Sequence, residues 1–245
     1  MPDLAVRIET VLARIREAEQ RFQRPPGAVA LVAVSKMQPT GAIVAAVAAG
    51  LHSFGENYLK EALEKIEALK KIEELRGYTR GYNTLDWHFI GPIQSNKTRG
   101  IAEHFDWVHS VDRLKIAQRL SVQRPAERPP LNVCLQVNIS EEPSKSGVAL
   151  ADLPALAQAV ALLPRIVLRG LMAVPAPCDE FTAQRKPFAR LREAQQALTE
   201  MGLSLDTLSM GMTDDLEAAI AEGATLVRIG TAIFGPRPNS GLPKC

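Results

Sequence analysis

Short apolar runs and helical segments alternate along most of this chain. Residues 3–24 place Leu4, Ile8 and Ile15 at helical spacing, which predicts an amphipathic helix that ends at Pro25-Pro26-Gly27. The apolar runs that follow show little polar alternation, as expected for parallel strands that are covered by helices. The predicted strands are Val29–Ser35, Leu51–Phe54, Trp87–Ile90, Trp107–Ser110, Leu131–Asn138, Ile166–Val174, Leu205–Ser209 and Thr225–Ile229.

The segments between these runs have the pattern of helices. The predicted helices are 40–49, 56–75, 95–103, 112–121, 152–163, 181–201 and 213–221. Eight strands with intervening helices, in roughly 220 residues, favour an α/β fold of the (β/α)₈ (TIM) barrel type over a doubly wound sheet. No linker rich in Pro, Gly or Ser divides the chain, so residues 1–245 are interpreted as a single domain with an extra N-terminal helix and a C-terminal tail over 236–245.

Composition and charge narrow the class of protein. The chain has 29 Lys and Arg residues and 27 Asp and Glu residues, spread without a basic block, so nucleic-acid binding is not expected. Its three cysteines are far apart and its four histidines lack metal-ligand spacing, so neither a disulfide framework nor a metal site is indicated. The longest apolar run, 42–51, is too short to span a bilayer. These patterns predict a soluble cytoplasmic protein with no membrane contact.

A barrel would place its functional groups at the C-terminal ends of the strands. The last predicted strand runs into Arg228-Ile229-Gly230-Thr231. Gly230 would let the backbone approach a ligand closely, and Thr231–Phe234 could form a one-turn helix whose N–H groups face an anion. We therefore expect a phosphate group on the side of Gly230 and Thr231, helped by Ser209 and by the backbone near Gly211.

Lys36 follows the first predicted strand, so it is a second candidate functional residue at the C-terminal ends of the barrel strands. A lysine that is partly desolvated and near other cations can act as an amine nucleophile. Together with a phosphate cradle, it would suit an aldehyde cofactor with a phosphate tail, and Arg228 would meet a pyridine nitrogen between them. A purely structural alternative is equally compatible with the spacing, namely that Lys36 pairs with Glu56 and Arg228 makes a structural ion pair.

Long motifs carry a resemblance to a known family. They are VAVSK (32–36), FGENY (54–58), WHFIGPIQSNK (87–97), QVNISEEPSKSG (136–147), GLMAV (170–174) and LSMGMTDDLEAAIAEGATLVRIGTAIFG (208–235). With these motifs the chain resembles the YggS/PROSC family of pyridoxal-phosphate homeostasis proteins, whose fold matches the N-terminal barrel of alanine racemase. The resemblance spans nearly the whole chain.

The resemblance implies a binding site for pyridoxal 5′-phosphate (PLP). Lys36 matches the lysine that forms a Schiff base with PLP, and Arg228 matches the arginine that faces the pyridine nitrogen. Asn57 matches an asparagine beside the cofactor. Ser209, Gly230 and Thr231 match the phosphate-binding positions. Thr213 stands where many members have serine and keeps a hydroxyl, and it is expected, with Gly211, among the cofactor-binding residues. Met210 and Met212 are expected either to pack in the core or to line the pocket.

Chemistry limits what such a site could do. An arginine at the pyridine nitrogen keeps that nitrogen unprotonated, so the ring is a poor electron sink. A racemase would also need a second base, and none is evident in this sequence. We therefore expect a monomeric protein of PLP homeostasis, which binds, stores and delivers PLP to PLP-dependent apo-enzymes through transient contact, with little or no catalysis. The alternatives are a PLP-dependent amino-acid racemase and a Schiff-base aldolase without a cofactor. Residues 76–86 are assigned no role.

Overall fold

The computed structural model describes residues 3–76, 85–142 and 146–236. Its centre is a closed parallel barrel of eight strands, paired in sequence order, with the last strand returning to the first. The strands are β1 (Ala30–Val34), β2 (Ser53–Glu56), β3 (Asp86–Phe89), β4 (Trp107–Val111), β5 (Leu131–Gln136), β6 (Ile166–Met172), β7 (Thr207–Ser209) and β8 (Leu226–Ile229). The predicted (β/α)₈ fold is confirmed.

Helices surround the barrel. They are α1 (Leu4–Arg21), α2 (Thr40–Ala48), α3 (Leu59–Arg76), α4 (Thr98–His104), α5 (Leu114–Gln123), α6 (Leu153–Ala161), α7 (Phe181–Glu200), α8 (Leu216–Ala221) and α9 (Thr231–Phe234). Their apolar faces and the strands form one continuous core. Burial of this apolar surface is the main force that holds the helices on the barrel.

The extra N-terminal helix belongs to the layer of helices around the barrel. It buries Ile8, Val11 and Ile15 and packs against α8 and α9. Arg14 hydrogen bonds both to the Glu217 carboxylate on α8 and, at 3.1 Å, to the Thr213 carbonyl. Arg7 Nε donates to the carbonyl oxygen of Ile233 on α9 at 2.6 Å. The helix therefore fastens the two segments that follow β7 and β8.

This helix ends earlier than the sequence predicts. Gln23 adopts a left-handed backbone with φ of 54°, which cannot continue a right-handed helix. The Arg24 N–H then reaches back to the Glu19 carbonyl at 2.8 Å and closes the turn. The helical span is therefore Leu4–Arg21 rather than 3–24.

The second strand is the largest difference in position. The sequence predicts Leu51–Phe54, but the Leu51 N–H donates to the Ala46 carbonyl and so belongs to the closing turn of α2. The strand instead occupies Ser53–Glu56, in register with the whole of β3. Helix α8 likewise begins at Leu216 rather than at 213, because the Asp215 side chain accepts the Met212 N–H in a turn before the helix.

Some expectations fall on residues outside the described ranges. The segment 76–86 lies mostly in the gap between 76 and 85, and the tail is described only to Pro236. Within the ranges given above, the helices include none that is both long enough and apolar enough to cross a membrane.

Candidate cofactor site at the barrel mouth

The C-terminal ends of the strands enclose a cavity of about 370 Å³. Of the residues proposed from the sequence, those along its wall are Lys36, Asn57, Thr213, Arg228, Gly230 and Thr231. These residues are far apart in sequence and meet because parallel barrel strands all end at the same rim. β1 and β8 are neighbours, with Val32 in register with Arg228, so the strands that lead to Lys36 and Arg228 lie side by side.

The backbone on both sides of Lys36 is held from β2 and α3. Lys65 Nζ, on α3, donates to the Ser35 carbonyl at 2.7 Å, and the Ser35 hydroxyl donates to Glu56 at 2.6 Å. On the other side of Lys36, the Met37 N–H donates to Glu61 at 2.5 Å, and Met37 adopts a positive φ of 61°. A positive φ is rare for a side chain of this size and persists only where neighbours enforce it.

The three charged residues that hold this turn form a cluster. Lys65, which is 5% exposed, lies 2.7 Å from a carboxylate oxygen of fully buried Glu56 and 2.6 Å from one of Glu61. Burial raises the pKa of Glu56, against the opposing effect of Lys65. Lys65 is therefore a cationic partner of Glu56.

Arg228 is buried in the wall of the cavity. Its Nη1 donates to the Ser209 hydroxyl at 2.6 Å and its Nη2 donates to the Ala173 carbonyl at 3.0 Å. Burial lowers the pKa of Arg228 to about 10, so the side chain remains charged at neutral pH. No carboxylate of the described residues lies within salt-bridge distance of it. The charge of Asp215 opposes the effect of burial on the pKa of Arg228 without an ion pair at that distance, so the guanidinium keeps donors for a ligand.

Asn57 lies on the wall with an unsatisfied amide. Its Oδ1 is buried and makes no hydrogen bond to any described residue. An unpaired buried acceptor costs free energy, so a polar ligand atom in the cavity would stabilise it. Gly91 packs directly on this residue, because a Cβ atom at Gly91 would lie 2.3 Å from the Asn57 carbonyl oxygen.

The end of the cavity near β8 has the predicted phosphate-binding features. Thr231–Phe234 forms the one-turn helix that the sequence predicts, and Gly230 precedes it. A Cβ atom at Gly230 would lie 3.3 Å from the Val34 carbonyl oxygen, which is a tight contact. The glycine therefore lets the backbones after β8 and at the end of β1 lie close together. The Thr213 side chain is on the same wall, and so is that of Asp214.

Ser209, Met210 and Gly211 lie behind the wall rather than along it. Ser209 and Met210 are fully buried, and the hydroxyl of Ser209 is engaged by Arg228 and His109. A Cβ atom at Gly211 would lie 2.6 Å from that of Ala219 on α8, and its φ is 96°. The structure thus gives these three residues partners inside the protein, whereas Met212 does line the cavity.

Two of the four histidines, which lack metal-ligand spacing in the sequence, lie near the site. His88 Nδ1 lies 2.9 Å from His109 Nε2, and His109 Nδ1 lies 2.6 Å from the Ser209 hydroxyl. Both rings are buried, on the neighbouring strands β3 and β4. Within residues 3–76, 85–142 and 146–236, no three His, Cys, Asp or Glu side chains are grouped as a metal ion would require.

The buried histidines should make the protein sensitive to acid. Burial lowers the pKa of His88 to about 3 from an ordinary 6.5, so below pH 6.5 the unfolded chain binds a proton that the folded chain does not. The stability that His88 contributes is therefore complete above pH 6.5 and falls by about 1.4 kcal/mol per pH unit as the pH decreases toward 3. We expect His88→Gln to flatten this decline, measured by urea unfolding between pH 7 and pH 5. The exposed His52→Gln is the control, and an unchanged slope in His88→Gln would contradict the assignment.

Comparison with known proteins agrees with this geometry. Residues 6–238 match the family described as alanine racemase, N-terminal domain. A pyridoxal phosphate homeostasis protein of Pseudomonas aeruginosa is 63% identical over 243 residues, which are 99% of this chain and 99% of that protein. The pyridoxal phosphate homeostasis protein of Escherichia coli K12 is 52% identical over 240 residues, which are 98% of this chain and 99% of that one.

A solved structure extends the comparison to three dimensions. PipY of Synechococcus elongatus PCC7942, with PLP bound, superposes with a TM-score of 0.80 at 36% identity. The match covers 95% of this chain and 100% of the PipY chain. The chain belongs to the YggS/PROSC family of pyridoxal phosphate homeostasis proteins, which share the alanine racemase N-terminal domain.

Proposed function

We propose that this protein binds PLP in the barrel-mouth cavity and takes part in PLP homeostasis by storing and delivering the cofactor. The observation that carries the proposal is one cavity wall with a lysine, a buried charged arginine and an unpaired amide oxygen. Homologues that match nearly end to end are named for this role, and one was solved with PLP bound. The chain covers almost their entire length, so the proposal concerns the whole protein.

Six residues of the wall have a proposed part in holding PLP. The Lys36 amine condenses with the PLP aldehyde, so that a C=N bond forms and water leaves. Arg228 donates toward the pyridine nitrogen, Asn57 meets a polar substituent of the ring, and the phosphate lies against Gly230, Thr231 and the Thr213 hydroxyl. Cavity volume supports this assignment, since about 370 Å³ suits a small cofactor.

The same geometry favours a carrier over an enzyme. A charged arginine beside the pyridine nitrogen disfavours its protonation, so the ring withdraws electrons weakly. Racemisation also requires a second base across from Lys36. Tyr58, the described tyrosine nearest in sequence to the site, is 55% exposed and is not on the cavity wall. We therefore propose that turnover is little or none and that the protein contacts PLP-dependent apo-enzymes transiently. The monomeric state expected from the sequence is part of the same proposal.

Spectroscopy tests the binding site. Addition of PLP to the purified protein should produce an absorbance band at about 420 nm. Lys36→Ala should abolish this band, because the alanine side chain has no amine to condense with the aldehyde. Lys60→Ala is the matched control, since the Lys60 side chain is 90% exposed on α3. If the wild-type protein takes up no PLP, or if Lys36→Ala keeps the band, the proposed site is wrong.

Transfer and turnover test the carrier role. The loaded protein should restore activity to an apo-enzyme that depends on PLP, and Lys36→Ala treated in the same way should not. Incubation of the loaded protein with single enantiomers of several amino acids should give no substantial racemisation. Failure to deliver any cofactor would contradict the carrier role. Robust racemisation would contradict it as well and would favour the racemase alternative.

A further inference from the structure

A chain of hydrogen bonds runs from Arg228 into the interior of the barrel. It passes from Arg228 on β8 to Ser209 on β7 over 2.6 Å, and from Ser209 to His109 on β4 over 2.6 Å. His109 is joined to His88 on β3 over 2.9 Å. All four residues are at least 95% buried. We call these four residues the interior relay.

The direction of every bond in the interior relay follows from Arg228. A guanidinium group has only donors, so the Ser209 oxygen must accept from it. Among the described residues Ser209 Oγ contacts only Arg228 and His109, so its single hydrogen is satisfied only if His109 Nδ1 accepts it. The proton of a neutral His109 ring must therefore be on Nε2, where it is donated to His88 Nδ1. A neutral His88 in turn carries its own proton on Nε2.

Burial and packing support neutral rings in this order. Burial, with help from His88 and Arg228, lowers the pKa of His109 well below its ordinary value. The Trp107 ring stacks on the His88 ring with their centres 5.6 Å apart, and the Arg169 guanidinium lies 4.9 Å from the centre of the Trp107 ring. His88 Nε2 is buried and has no hydrogen-bond partner among the described residues. The interior relay is thus anchored by aromatic packing at its far end.

We propose that Ser209 and His109 are positioning residues that hold the Arg228 guanidinium toward the cofactor cavity, and that Ser209 is not a phosphate ligand. Ser209 can accept from Arg228 only while its hydrogen is directed elsewhere, and His109 Nδ1 is the acceptor that directs it. The remaining hydrogens of Arg228 are then free to meet a ring nitrogen. The inference rests on the proposed function, because it assigns Arg228 to the pyridine ring.

Pyridoxal without the phosphate separates the two roles of Ser209. A phosphate ligand contributes to the affinity for PLP but not for pyridoxal, whereas a residue that positions Arg228 contributes to both. We expect Ser209→Ala to weaken both ligands by a similar factor of about 10 to 100, as for loss of a hydrogen bond to a charged group. The absorbance maximum of bound PLP should also shift, because the environment of the ring nitrogen changes. Thr231→Val, on the cavity wall, is the comparison variant and should weaken PLP selectively.

Each outcome decides the inference. If wild-type protein binds PLP and Ser209→Ala loses affinity for PLP but not pyridoxal, Ser209 is a phosphate ligand and the inference is overturned. If Ser209→Ala changes neither ligand nor the spectrum, the positioning role is also wrong. If wild-type protein binds no PLP, the proposed function itself has failed, which is a different result.

A measurement on the unmutated protein covers the case in which a variant does not fold. Nitrogen-15 NMR of the imidazole rings should show both His88 and His109 neutral at pH 7, with the proton on Nε2 in each. A proton on Nδ1 of His109 would make that nitrogen a donor to Ser209, which would reverse the relay and overturn the inference. His109→Gln provides a second variant, expected to weaken PLP and pyridoxal equally.

Discussion

Replacement of Lys65 with methionine is expected to lower the free energy of unfolding by about 3–5 kcal/mol, because it leaves a buried carboxylate without its cation. Glu56 is fully buried, and Lys65 supplies its charge partner at 2.7 Å. Methionine retains the length of the apolar stem, so the loss of packing is small. The measurement is urea unfolding at pH 7, and Lys60→Met, which removes an exposed lysine of the same helix, should change stability by less than about 0.5 kcal/mol.

Two further measurements identify Glu56 as the cause. Burial raises the pKa of Glu56, so its ionisation costs stability as the pH rises from the unfolded value of 4.5 through the folded one. The loss of unfolding free energy in Lys65→Met, relative to the wild-type protein, should therefore become smaller as the pH is lowered from 7 to 5. The double variant Lys65→Met/Glu56→Gln should recover much of the lost stability at pH 7. A deficit below about 1 kcal/mol, or no recovery, would contradict the role of the pair.

The same substitution should weaken the cofactor site. Lys65 donates to the Ser35 carbonyl, and its partner Glu61 accepts the Met37 N–H, so both neighbours of Lys36 depend on this cluster. Loss of the anchor would widen the range of positions of the Lys36 amine, and reactions that form a bond are sensitive to displacements of about 1 Å. PLP uptake should therefore slow in Lys65→Met even under conditions in which the variant is fully folded.

The second large effect is expected from Gly91→Ala, which should reduce PLP affinity by about tenfold or more. The new Cβ would lie 2.3, 2.7 and 2.9 Å from the carbonyl oxygen, Cα and carbonyl carbon of Asn57, all backbone atoms that cannot rotate away. The two segments must separate, at a cost of about 1–3 kcal/mol in stability. Separation moves Asn57 relative to the cavity and disturbs the 2.5 Å hydrogen bond from Ser110 to the Gly91 carbonyl.

Gly41→Ala is the matched control for this glycine. Gly41 lies in α2, and nothing lies within 4 Å of the position that its Cβ would occupy. Alanine there should raise stability by about 0.4–1 kcal/mol and leave PLP binding unchanged. The two variants are compared by PLP titration and urea unfolding. Equal PLP affinity in Gly91→Ala and wild-type protein would show that Asn57 does not depend on this contact.

The sequence predicts the eight strands and the one-turn helix Thr231–Phe234 because each is a continuous segment with its own local pattern. A short apolar run bounded by helical segments is best explained as a buried strand. Parallel strands in a barrel all end at one rim, so Lys36 and Arg228 could be brought together without knowledge of any side-chain contact.

The interior relay and the charged cluster could not be predicted in the same way. Strands buried on both faces lack polar alternation, so nothing in the sequence shows which side chains of β7 face inward. The contacts of Ser209 with Arg228 and His109 could therefore not be predicted. Lys65 is one of several lysines in α3, and its burial depends on how that helix packs. Histidine pairing between β3 and β4 depends on register, which local patterns do not specify.

The hydrogen bonds that Arg7 and Arg14 make from α1 also affect the order in which the nascent chain can fold. This helix leaves the ribosome before the eight strands, yet Arg7 bonds to a carbonyl 226 residues later and Arg14 bonds to Glu217, 203 residues later. The barrel closes only when β8 pairs with β1. Contacts with such long sequence separation form late and expose apolar surface until they do. A nascent chain therefore has no complete cofactor pocket until β8 has emerged and paired with β1.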